Sequence, residues 1–390
     1  MKSVLIIGDV NHPLIYQLYK RIHEKKDIDI DILSFEKSYY RNTKYFRNLY
    51  LIPSMGQDRN FFKRKFEQMA YLLTLKNVIK NLPKYDSIHI HYYNPIYRYI
   101  ISILRRKTDN LIITIWGSDY YRVSKKQLNM NSNAFNLADK ITFTNEKTLD
   151  DFIKNFNISL NRLKITRFGL ETLDYIDKIE NSSEMQSKIS FFKKKYHIPE
   201  KLKVITCGYN SSPGQQHELI LNAINKLPQD YAEKCVFLFP LAYGDNVHKE
   251  KIKEIIRNIG RNILVLEAFM VEEELAILRL ISDIMINIQV TDQLSGSMQE
   301  TLYAGNIVIN GSWLPYDIFH KNNVFFLNVD NPIHLDKLIC SSIEKYDDLK
   351  NMVRNNKSYI RSLSGWDENL EDWYNLYLGN KDDNDGETID

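Results

Sequence analysis

Short apolar segments rich in β-branched residues alternate along the chain with longer segments in which apolar positions recur every three or four residues. This alternation is typical of a parallel β-sheet covered by helices. The first series predicts strands at 4–7, 28–33, 87–91, 111–115, 140–144 and 163–166, and helices near 13–25, 59–81, 95–107 and 146–156. The second series predicts strands at 204–207, 236–239, 263–266, 284–288, 307–309 and 324–327, and helices near 215–226, 247–259, 271–281, 297–304 and 332–345.

The repetition of this pattern predicts two doubly wound α/β domains, since 390 residues exceed the length that one hydrophobic core usually supports. We expect the strand ends of both domains, where ligands bind, to face one central cleft. The predicted regions are an N-terminal Rossmann-like domain at 1–170, a linker and entry helix at 171–199, a C-terminal Rossmann-like domain at 200–348, helices packing back on the body at 349–378, and a disordered acidic tail at 379–390.

Composition argues against several classes of protein. An apolar fraction of 44% and a charged fraction of 26% are typical of a globular protein, and no apolar run is long enough to span a bilayer. The start MKSVLIIGDV resembles a first core strand rather than a secretory signal, so we expect a cytoplasmic location. Cys207, Cys235 and Cys340 lack disulfide or zinc-like spacing, and we expect buried free thiols.

Charge is divided unevenly between the two halves of the chain. Residues 1–170 carry about 29 Lys and Arg against about 15 Asp and Glu, whereas the remainder is acidic. A basic domain attracts anionic partners such as phospholipid headgroups, lipid diphosphates or nucleic acid, although the lysines can also form an ordinary solvated surface. The segment with Lys63, Arg64 and Lys65 interleaves basic and aromatic residues, which fits a helix lying on a membrane surface or one packed on the sheet.

A loop of small residues precedes the predicted helix at 297–304. Ser295, Gly296 and Ser297 leave backbone N–H groups uncrowded at the positive end of a helix dipole, which suits a diphosphate. Glu300 would lie one turn into the helix, facing the same cleft. The spacing from Ser297 to Glu300 also fits a capping box, and both interpretations can hold.

The segment 264–315 resembles the donor-binding half of retaining GT-B glycosyltransferases of family 4. These show two acidic residues separated by seven, then a small residue, Gly and a strand. The matching positions are Asp292, Glu300, Ala304, Gly305 and the strand 307–309. The resemblance implies that Glu300 holds the ribose hydroxyls of a nucleotide and that Asp292 lies near the donor sugar. Asp292 replaces the usual Glu and has a shorter reach.

A second resemblance follows the strand at 111–115, where Trp116, Gly117, Ser118 and Asp119 stand in place of the family 4 sequence His-Gly-x-Asp. The resemblance gives Asp119 a catalytic position facing the donor sugar. Trp116 cannot exchange a proton at neutral pH, so the role of the family histidine is absent or moved. This variant is similar to family 56 transferases, loosely called 4-α-L-fucosyltransferases, which add an acetamido-dideoxy-galactose to a lipid-linked glycan.

Two histidines in the first domain are candidates for acceptor chemistry. His89 and His91 alternate on one strand and point to the same face near its carboxyl end. They could orient an acceptor hydroxyl, with His91 as a general base, or serve as structural core histidines. Asp9, Asn11 and His12 follow the first strand, and the missing GxGxxG pattern there argues against a dinucleotide cofactor.

Polar residues also follow the first strand of the second domain. Asn210, Gln215 and His217 lie between a strand and a helix, a placement suited to phosphate contact. Family 4 enzymes usually supply an Arg and a Lys here, and this chain has neither, so the leaving diphosphate must be stabilised by His217, by helix dipoles or by a basic residue elsewhere. Tyr243 and Gly244 lie in a turn where the tyrosine ring could contact the nucleotide base or pack structurally.

Together these features predict a hexosyl-type glycosyltransferase that moves a sugar from a nucleoside-diphosphate donor, held by the second domain, to a glycan or lipid-linked acceptor held by the first. Domain closure and stabilisation of the departing diphosphate would drive transfer. The resemblance at Asp292 and Glu300 implies retention of configuration, whereas the family 56 resemblance and Trp116 leave the configuration open. The lack of a convincing Asp-x-Asp loop predicts no metal or other cofactor. We expect a role in surface polysaccharide or glycolipid assembly, with the basic domain on the anionic inner face of the cell membrane.

Two alternatives remain open. An epimerase or phosphorylase can share this scaffold, although phosphorylases usually need a cofactor lysine that the sequence does not visibly supply. A non-catalytic module that binds sugar or nucleic acid is the other. Against nucleic acid, the basic residues are scattered over helices without a recognisable DNA or RNA motif.

Overall fold

A computed structural model of the protein describes residues 1–25, 27–35, 43–52 and 61–378, with the backbone alone for 61–65. The chain divides into two compact units. Unit 1 comprises Met1–Gly169 and the C-terminal segment that begins at Trp366, and unit 2 comprises Leu170–Gly365. The tail predicted at 379–390 and the first two residues of the helix predicted at 59–81 lie outside the described residues.

Among its described residues, unit 1 contains a seven-stranded parallel sheet. Its strands are β1 (Lys2–Ile7), β2 (Ile28–Phe35), β3 (Asn48–Ile52), β4 (Ser87–His91), β5 (Leu111–Thr114), β6 (Lys140–Phe143) and β7 (Leu163–Ile165). They lie in the order β3-β2-β1-β4-β5-β6-β7, and Val4 of β1 is paired with Ile30 on one side and Ser87 on the other. The strand order reverses between β1 and β4, which is where ligands bind in sheets of this kind.

Helices cover both faces of this sheet. They are α1 (Pro13–Glu24), α2 (Phe61–Asn81), α3 (Ile101–Arg105), α4 (Ser118–Tyr121), α5 (Lys125–Met130), α6 (Ser132–Leu137) and α7 (Glu146–Asn155). Every residue of β4 and β5 is buried, as expected for parallel strands with helices on both sides.

Unit 2 is built on a six-stranded parallel sheet within the described part of the chain. Its strands are β8 (Lys203–Cys207), β9 (Cys235–Pro240), β10 (Ile263–Leu266), β11 (Ile284–Asn287), β12 (Ile307–Gly311) and β13 (Leu327–Val329). Their order is β10-β9-β8-β11-β12-β13, so the reversal lies between β8 and β11.

The helices of unit 2 alternate with these strands and then continue beyond them. They are α8 (Glu171–Glu180), α9 (Met185–Lys195), α10 (His217–Lys226), α11 (Gln229–Ala232), α12 (Asn246–Arg257), α13 (Glu272–Ile281), α14 (Gly296–Tyr303), α15 (Asp317–Lys321), α16 (Leu335–Glu344), α17 (Tyr346–Val353) and α18 (Asn356–Ser364). The predicted linker and entry helix at 171–199 contain α8 and α9, which belong to unit 2.

The last helix, α19 (Trp366–Leu378), belongs to unit 1, whereas α17 and α18 belong to unit 2. The predicted block 349–378 is thus divided between the units at Gly365. Trp366 and Trp373 of α19 are buried in the core of unit 1 with residues of β1 and α1. Gly169 allows the close approach, because a Cβ at this position would lie 2.3 Å from Trp366 Cγ.

Several element predictions were wrong for identifiable reasons. The edge strand β3 was missed because its residues are mostly half-exposed and lack a clear alternation. The helix predicted at 95–107 is a 3₁₀ turn at Pro95–Tyr99 followed by the short α3. Helices of four to six residues, α4 to α6, are too short to show helical periodicity. The apolar run at 324–327 is largely buried, but strand pairing begins only at its end.

The three cysteines are free thiols, with Cys207 and Cys235 buried and Cys340 half-buried. Burial raises the pKa of the Cys235 thiol to about 12. In the parts of the chain that the structure describes, no helix combines the length and apolarity needed to cross a bilayer.

Candidate functional site

The loops after β8 and β11 meet at the point in unit 2 where the strand order reverses. The backbone N–H of Val290 donates to the carbonyl of Gly214 over 2.8 Å. Gln215 Nε2 and the Tyr209 hydroxyl both donate to Gln289 Oε1, over 3.2 and 3.1 Å. Gln215, predicted as a ligand contact, is therefore used to join the two loops.

The loop after β8 is also joined to the turn after β9. The backbone N–H and hydroxyl of Ser211 donate to the Tyr243 carbonyl over 2.7 and 2.9 Å. Gly244 has φ of +123°, and a Cβ there would lie 2.7 Å from Ser211 Oγ, so this close approach requires glycine. Asn210 Oδ1 accepts the Ser212 N–H over 2.8 Å, and the ring of Tyr243 stays half-exposed. The structure thus brings Asn210, Tyr243 and Gly244 together and leaves the tyrosine ring accessible.

The small-residue loop forms the N-terminus of α14, but its cap differs from the one we considered. Ser295 is the N-cap residue, and its hydroxyl accepts the Met298 N–H over 3.2 Å. Gly296 opens the helix and Ser297 lies inside it, so a capping box between Ser297 and Glu300 is wrong. Both side chains turn instead toward α13.

Their common partner is Arg279, a residue that sequence reasoning missed. Arg279 Nε donates to Glu300 Oε2 over 2.9 Å, and Nη2 donates to Ser297 Oγ over 2.9 Å. Both members of the ion pair are buried, with side-chain exposures of 3% for Arg279 and 10% for Glu300. An arginine within the apolar segment AILRLI was the available signal, because an unpaired charge is costly to bury.

Asp292, the other acidic residue of the matched pattern, lies in the loop before α14. Its Oδ2 accepts a short hydrogen bond from the Tyr316 hydroxyl, and this hydroxyl also accepts the Ser295 N–H over 3.3 Å. Burial, reinforced by the carboxylate of Asp292, raises the pKa of Tyr316 well above its ordinary value. Tyr316 therefore stays a donor and ties Asp292 to the start of α14.

His217, at the start of α10, is fully buried. Burial lowers its pKa to about 4, with a smaller contribution from His248, whose Nε2 lies 3.3 Å from His217 Nδ1. In the absence of an anionic ligand the ring is therefore neutral at neutral pH. Helix dipoles and a basic residue elsewhere stay the other predicted sources of positive charge for a diphosphate.

In unit 1, both candidate histidines lie within a buried hydrogen-bonded chain. His89 Nε2 lies 2.6 Å from Thr114 Oγ1, and His89 Nδ1 lies 2.6 Å from the hydroxyl of Tyr377 on α19. His91 Nε2 lies 2.6 Å from the Tyr19 hydroxyl, which is 2.8 Å from that of Tyr377. This buried, hydrogen-bonded arrangement fits the interpretation of His89 and His91 as structural core histidines better than the interpretation of His91 as a general base that faces solvent.

Asp119 is buried and joins two loops at the end of the sheet. Its Oδ1 accepts the Trp116 N–H over 2.9 Å, and its Oδ2 accepts the Tyr93 N–H over 2.8 Å. Burial raises its pKa to about 6, even though these backbone donors act in the opposite direction. Both oxygens accept from the backbone, so the geometry assigns Asp119 to loop positioning. Gly117, with φ of +97°, is the N-cap residue of α4.

The remaining predicted residues of unit 1 surround Trp116. The rings of His12 and Trp116 lie edge to face with centroids 4.6 Å apart, and His91 lies behind Trp116 at 6.0 Å. His12 Nδ1 accepts the Leu14 N–H at the start of α1, and Asp9 Oδ1 accepts the Asn11 N–H over 2.9 Å. Asp9, Asn11, His12 and Trp116 are all half-exposed, so solvent reaches each of them.

Residues 3–145 match the model of a family described as glycosyl transferase 4-like. No curated protein matches the chain by sequence.

The whole chain is similar in structure to several solved proteins at low sequence identity. A glycosyltransferase from Rickettsia africae is 16% identical, with 97% of this chain and 99% of that one covered and a TM-score of 0.72. Anabaena HepE in complex with UDP and glucose is 12% identical over 97% and 100%, with a TM-score of 0.73. WaaG, a glycosyltransferase involved in lipopolysaccharide biosynthesis, is 14% identical over 97% and 100%, with a TM-score of 0.70. The chain thus has the GT-B fold, with two Rossmann-like domains on parallel sheets.

Proposed function

We propose that the protein is a glycosyltransferase that transfers a sugar from a nucleoside-diphosphate donor, bound by unit 2, to a glycan or lipid-linked acceptor bound by unit 1. The observation that carries this proposal is the buried Glu300 at the first turns of α14, held by Arg279 beside the Ser295–Ser297 loop. The family match over 3–145 and the GT-B fold support the same class of reaction.

The chemistry follows from how α14 begins. Its first backbone N–H groups and the positive end of its dipole favour a diphosphate that gains negative charge as the sugar leaves. Asp292, fixed by Tyr316, is the carboxylate that we place near the donor sugar. We further propose retention of configuration, no requirement for a metal or other cofactor, and a role in cell-surface glycan assembly, the last supported by the structural likeness to WaaG.

Nucleotide binding tests the donor site directly. Thermal unfolding and calorimetric titration with UDP, GDP, dTDP, ADP and CMP should show that one nucleotide binds selectively. Glu300→Gln should weaken that binding about tenfold or more, since a hydrogen bond to a charged group contributes about 1.5–3 kcal/mol. Glu250→Gln, on the exposed surface of α12, is the matched control.

Binding of none of the five nucleotides would refute the donor-site assignment. With the corresponding nucleotide sugar, release of free nucleoside diphosphate on addition of acceptor distinguishes a transferase from an epimerase, which alters the sugar and keeps the bond to the nucleotide.

We also propose that α2 contacts an anionic membrane. One face of the helix packs on the core through Tyr71, Leu75 and Ile79, while the opposite side exposes Phe66, Met69 and Leu73 at 74%, 65% and 62%. The sequence places Lys63, Arg64 and Lys65 at the start of this helix, where basic side chains favour anionic headgroups, although the positions of those three side chains lie outside the described residues.

Vesicle sedimentation tests this surface. The protein should bind vesicles containing phosphatidylglycerol more than vesicles of phosphatidylcholine alone, and salt should weaken the binding. Changing Phe66, Met69 and Leu73 together to Ser should lower the partition coefficient about tenfold or more, because less apolar area enters the membrane. Phe191→Ser, at an exposed phenylalanine of unit 2, should have no effect. Equal binding by the triple variant and the unchanged protein would disprove the assignment.

A further inference from the structure

Arg279 is a charged residue that neither the predicted site nor the family pattern includes. It lies near the end of α13, is 3% exposed, and is flanked in sequence by Leu278 and Leu280. Its backbone carbonyl is also engaged, since it accepts Asn306 Nδ2 over 2.7 Å. A guanidinium in such surroundings needs a partner for each donor, because burying a charge without full hydrogen bonding is costly.

The ion pair with Glu300 leaves both partners incompletely used. Glu300 Oε2 accepts Arg279 Nε, while Oε1 accepts no hydrogen bond from any described residue. On the other partner, Nη1 is buried and has no hydrogen-bond partner among the described residues. Two apolar side chains of similar volume would join α13 to α14 at no greater cost in stability. Stability alone therefore does not explain a buried ion pair in which one oxygen of Glu300 and one nitrogen of Arg279 have no hydrogen-bond partner among the described residues.

The third contact places the guanidinium at the first turn of α14. Arg279 Nη2 donates to Ser297 Oγ, one residue after Gly296 opens the helix. A lone carboxylate so close to a diphosphate site would repel the ligand. The positive charge of Arg279 offsets that of Glu300, so the carboxylate can accept a hydrogen bond near a diphosphate without a net repulsive charge.

From this geometry we infer that Arg279 is a positioning residue for the nucleotide ribose: it holds Glu300 by Oε2 so that Oε1 accepts a ribose hydroxyl. The inference rests on the proposed function, because it needs a nucleoside diphosphate at the start of α14. Arg279 acts through Glu300 and does not itself touch the ribose.

The test compares ligands that differ only at the sugar or only at the phosphate. The base selected by the nucleotide panel is used as the ribonucleoside diphosphate, its 2′-deoxy and 3′-deoxy forms, and the ribonucleoside monophosphate. The unchanged protein should bind the ribose form about tenfold or more tighter than at least one deoxy form. In Arg279→Lys, which keeps the charge but loses the planar fork, this ratio should fall toward one, while the preference for diphosphate over monophosphate should persist.

Two further variants complete the design. Glu300→Gln should lose the same discrimination, and combining it with Arg279→Lys should cause no additional loss. Arg257→Lys, at an exposed arginine of α12, should leave both ratios unchanged. If Arg279→Lys does not fold, the double variant Arg279→Met with Glu300→Leu removes both buried charges together and should bind ribose and deoxy forms equally.

The outcomes separate this inference from the proposed function. Equal binding of all three sugar forms by the unchanged protein, or full ribose discrimination in Arg279→Lys, would overturn the positioning role while leaving the donor site intact. If Arg279→Lys instead lost the preference for diphosphate over monophosphate, Arg279 would contact the phosphates, and its positioning role would again be overturned. No binding of any nucleotide by the unchanged protein would remove the proposed function and this inference with it.

Discussion

His89 and His91 show how burial sets the protonation state of single residues in unit 1. Burial lowers the pKa of His89 to about 3, and it lowers that of His91 well below its ordinary value, assisted by the neighbouring His89. Both rings are neutral in the folded protein and exchange hydrogen bonds with Tyr19 and Tyr377. The unfolded chain therefore binds protons at these two histidines that the folded protein does not bind.

The sign of the resulting pH dependence follows from the lowered pKa. Between about pH 6.5 and pH 3, His89 binds a proton in the unfolded chain but not in the folded protein. The contribution of His89 to the free energy of unfolding is therefore fully present above about pH 6.5 and is lost as the pH falls toward 3. From pH 7.5 to pH 5 the His89 contribution should fall by about 2 kcal/mol.

Urea unfolding measures this loss through the fluorescence of Trp373, whose ring lies 5.8 Å from that of His89. His89→Gln should unfold with a weaker pH dependence than the unchanged protein, and the exposed His23→Gln should not. If the free energy of unfolding changed with pH by the same amount in His89→Gln and in the unchanged protein, the lowered pKa of His89 would be contradicted.

Sequence reasoning identified some residues of the candidate donor site and missed others for a physical reason. Glu300 and Ser295 lie in one local segment, where the family resemblance and the small-residue loop before the helix led to their prediction. Arg279 and Tyr316 reach the same place from α13 and from the loop after β12, and their contacts depend on how those elements pack. A pattern along one segment does not contain that information.

At the scale of elements, the sequence did not indicate which of the two units contains α19. It supplies Trp373 and Tyr377 to the core of unit 1, where Trp373 Nε1 donates to the Arg167 carbonyl over 2.7 Å. Its aromatic residues predicted packing on the body of the protein, but apolar side chains alone do not specify which core they enter. By contrast, β4 and β10 have the predicted limits. β10 is a continuous apolar run that ends at Glu267.

Removing one ring from α19 tests its importance to unit 1. Trp373→Ala should destabilise the protein by about 3–5 kcal/mol, because a large side chain leaves a cavity in a fully buried site. Phe191→Ala, at a side chain that is 72% exposed, should change stability by less than about 0.5 kcal/mol. Chemical denaturation of both variants provides the comparison, and similar small losses would show that α19 contributes little to the core.

At the scale of the whole molecule, the sequence predicted the two-domain α/β architecture because the alternation of apolar strands and amphipathic helices occurs twice. The structure confirms this fold class, with seven and six parallel strands in the two sheets. Spatial strand order was not part of the prediction, since it depends on which strands pair rather than on local periodicity. The boundary at Gly365 was also missed, because helices on both sides of it have similar amphipathic patterns.

The return of α19 to unit 1 sets an order of events during protein synthesis. Translation proceeds from the N-terminus, so residues 366–378 leave the ribosome after every residue of unit 2. Unit 2 can then complete its core on the nascent chain, while unit 1, although made first, must wait for Trp366, Trp373 and Tyr377. Domains usually fold in the order in which they are made, whereas the core of unit 1 includes residues that are made after unit 2.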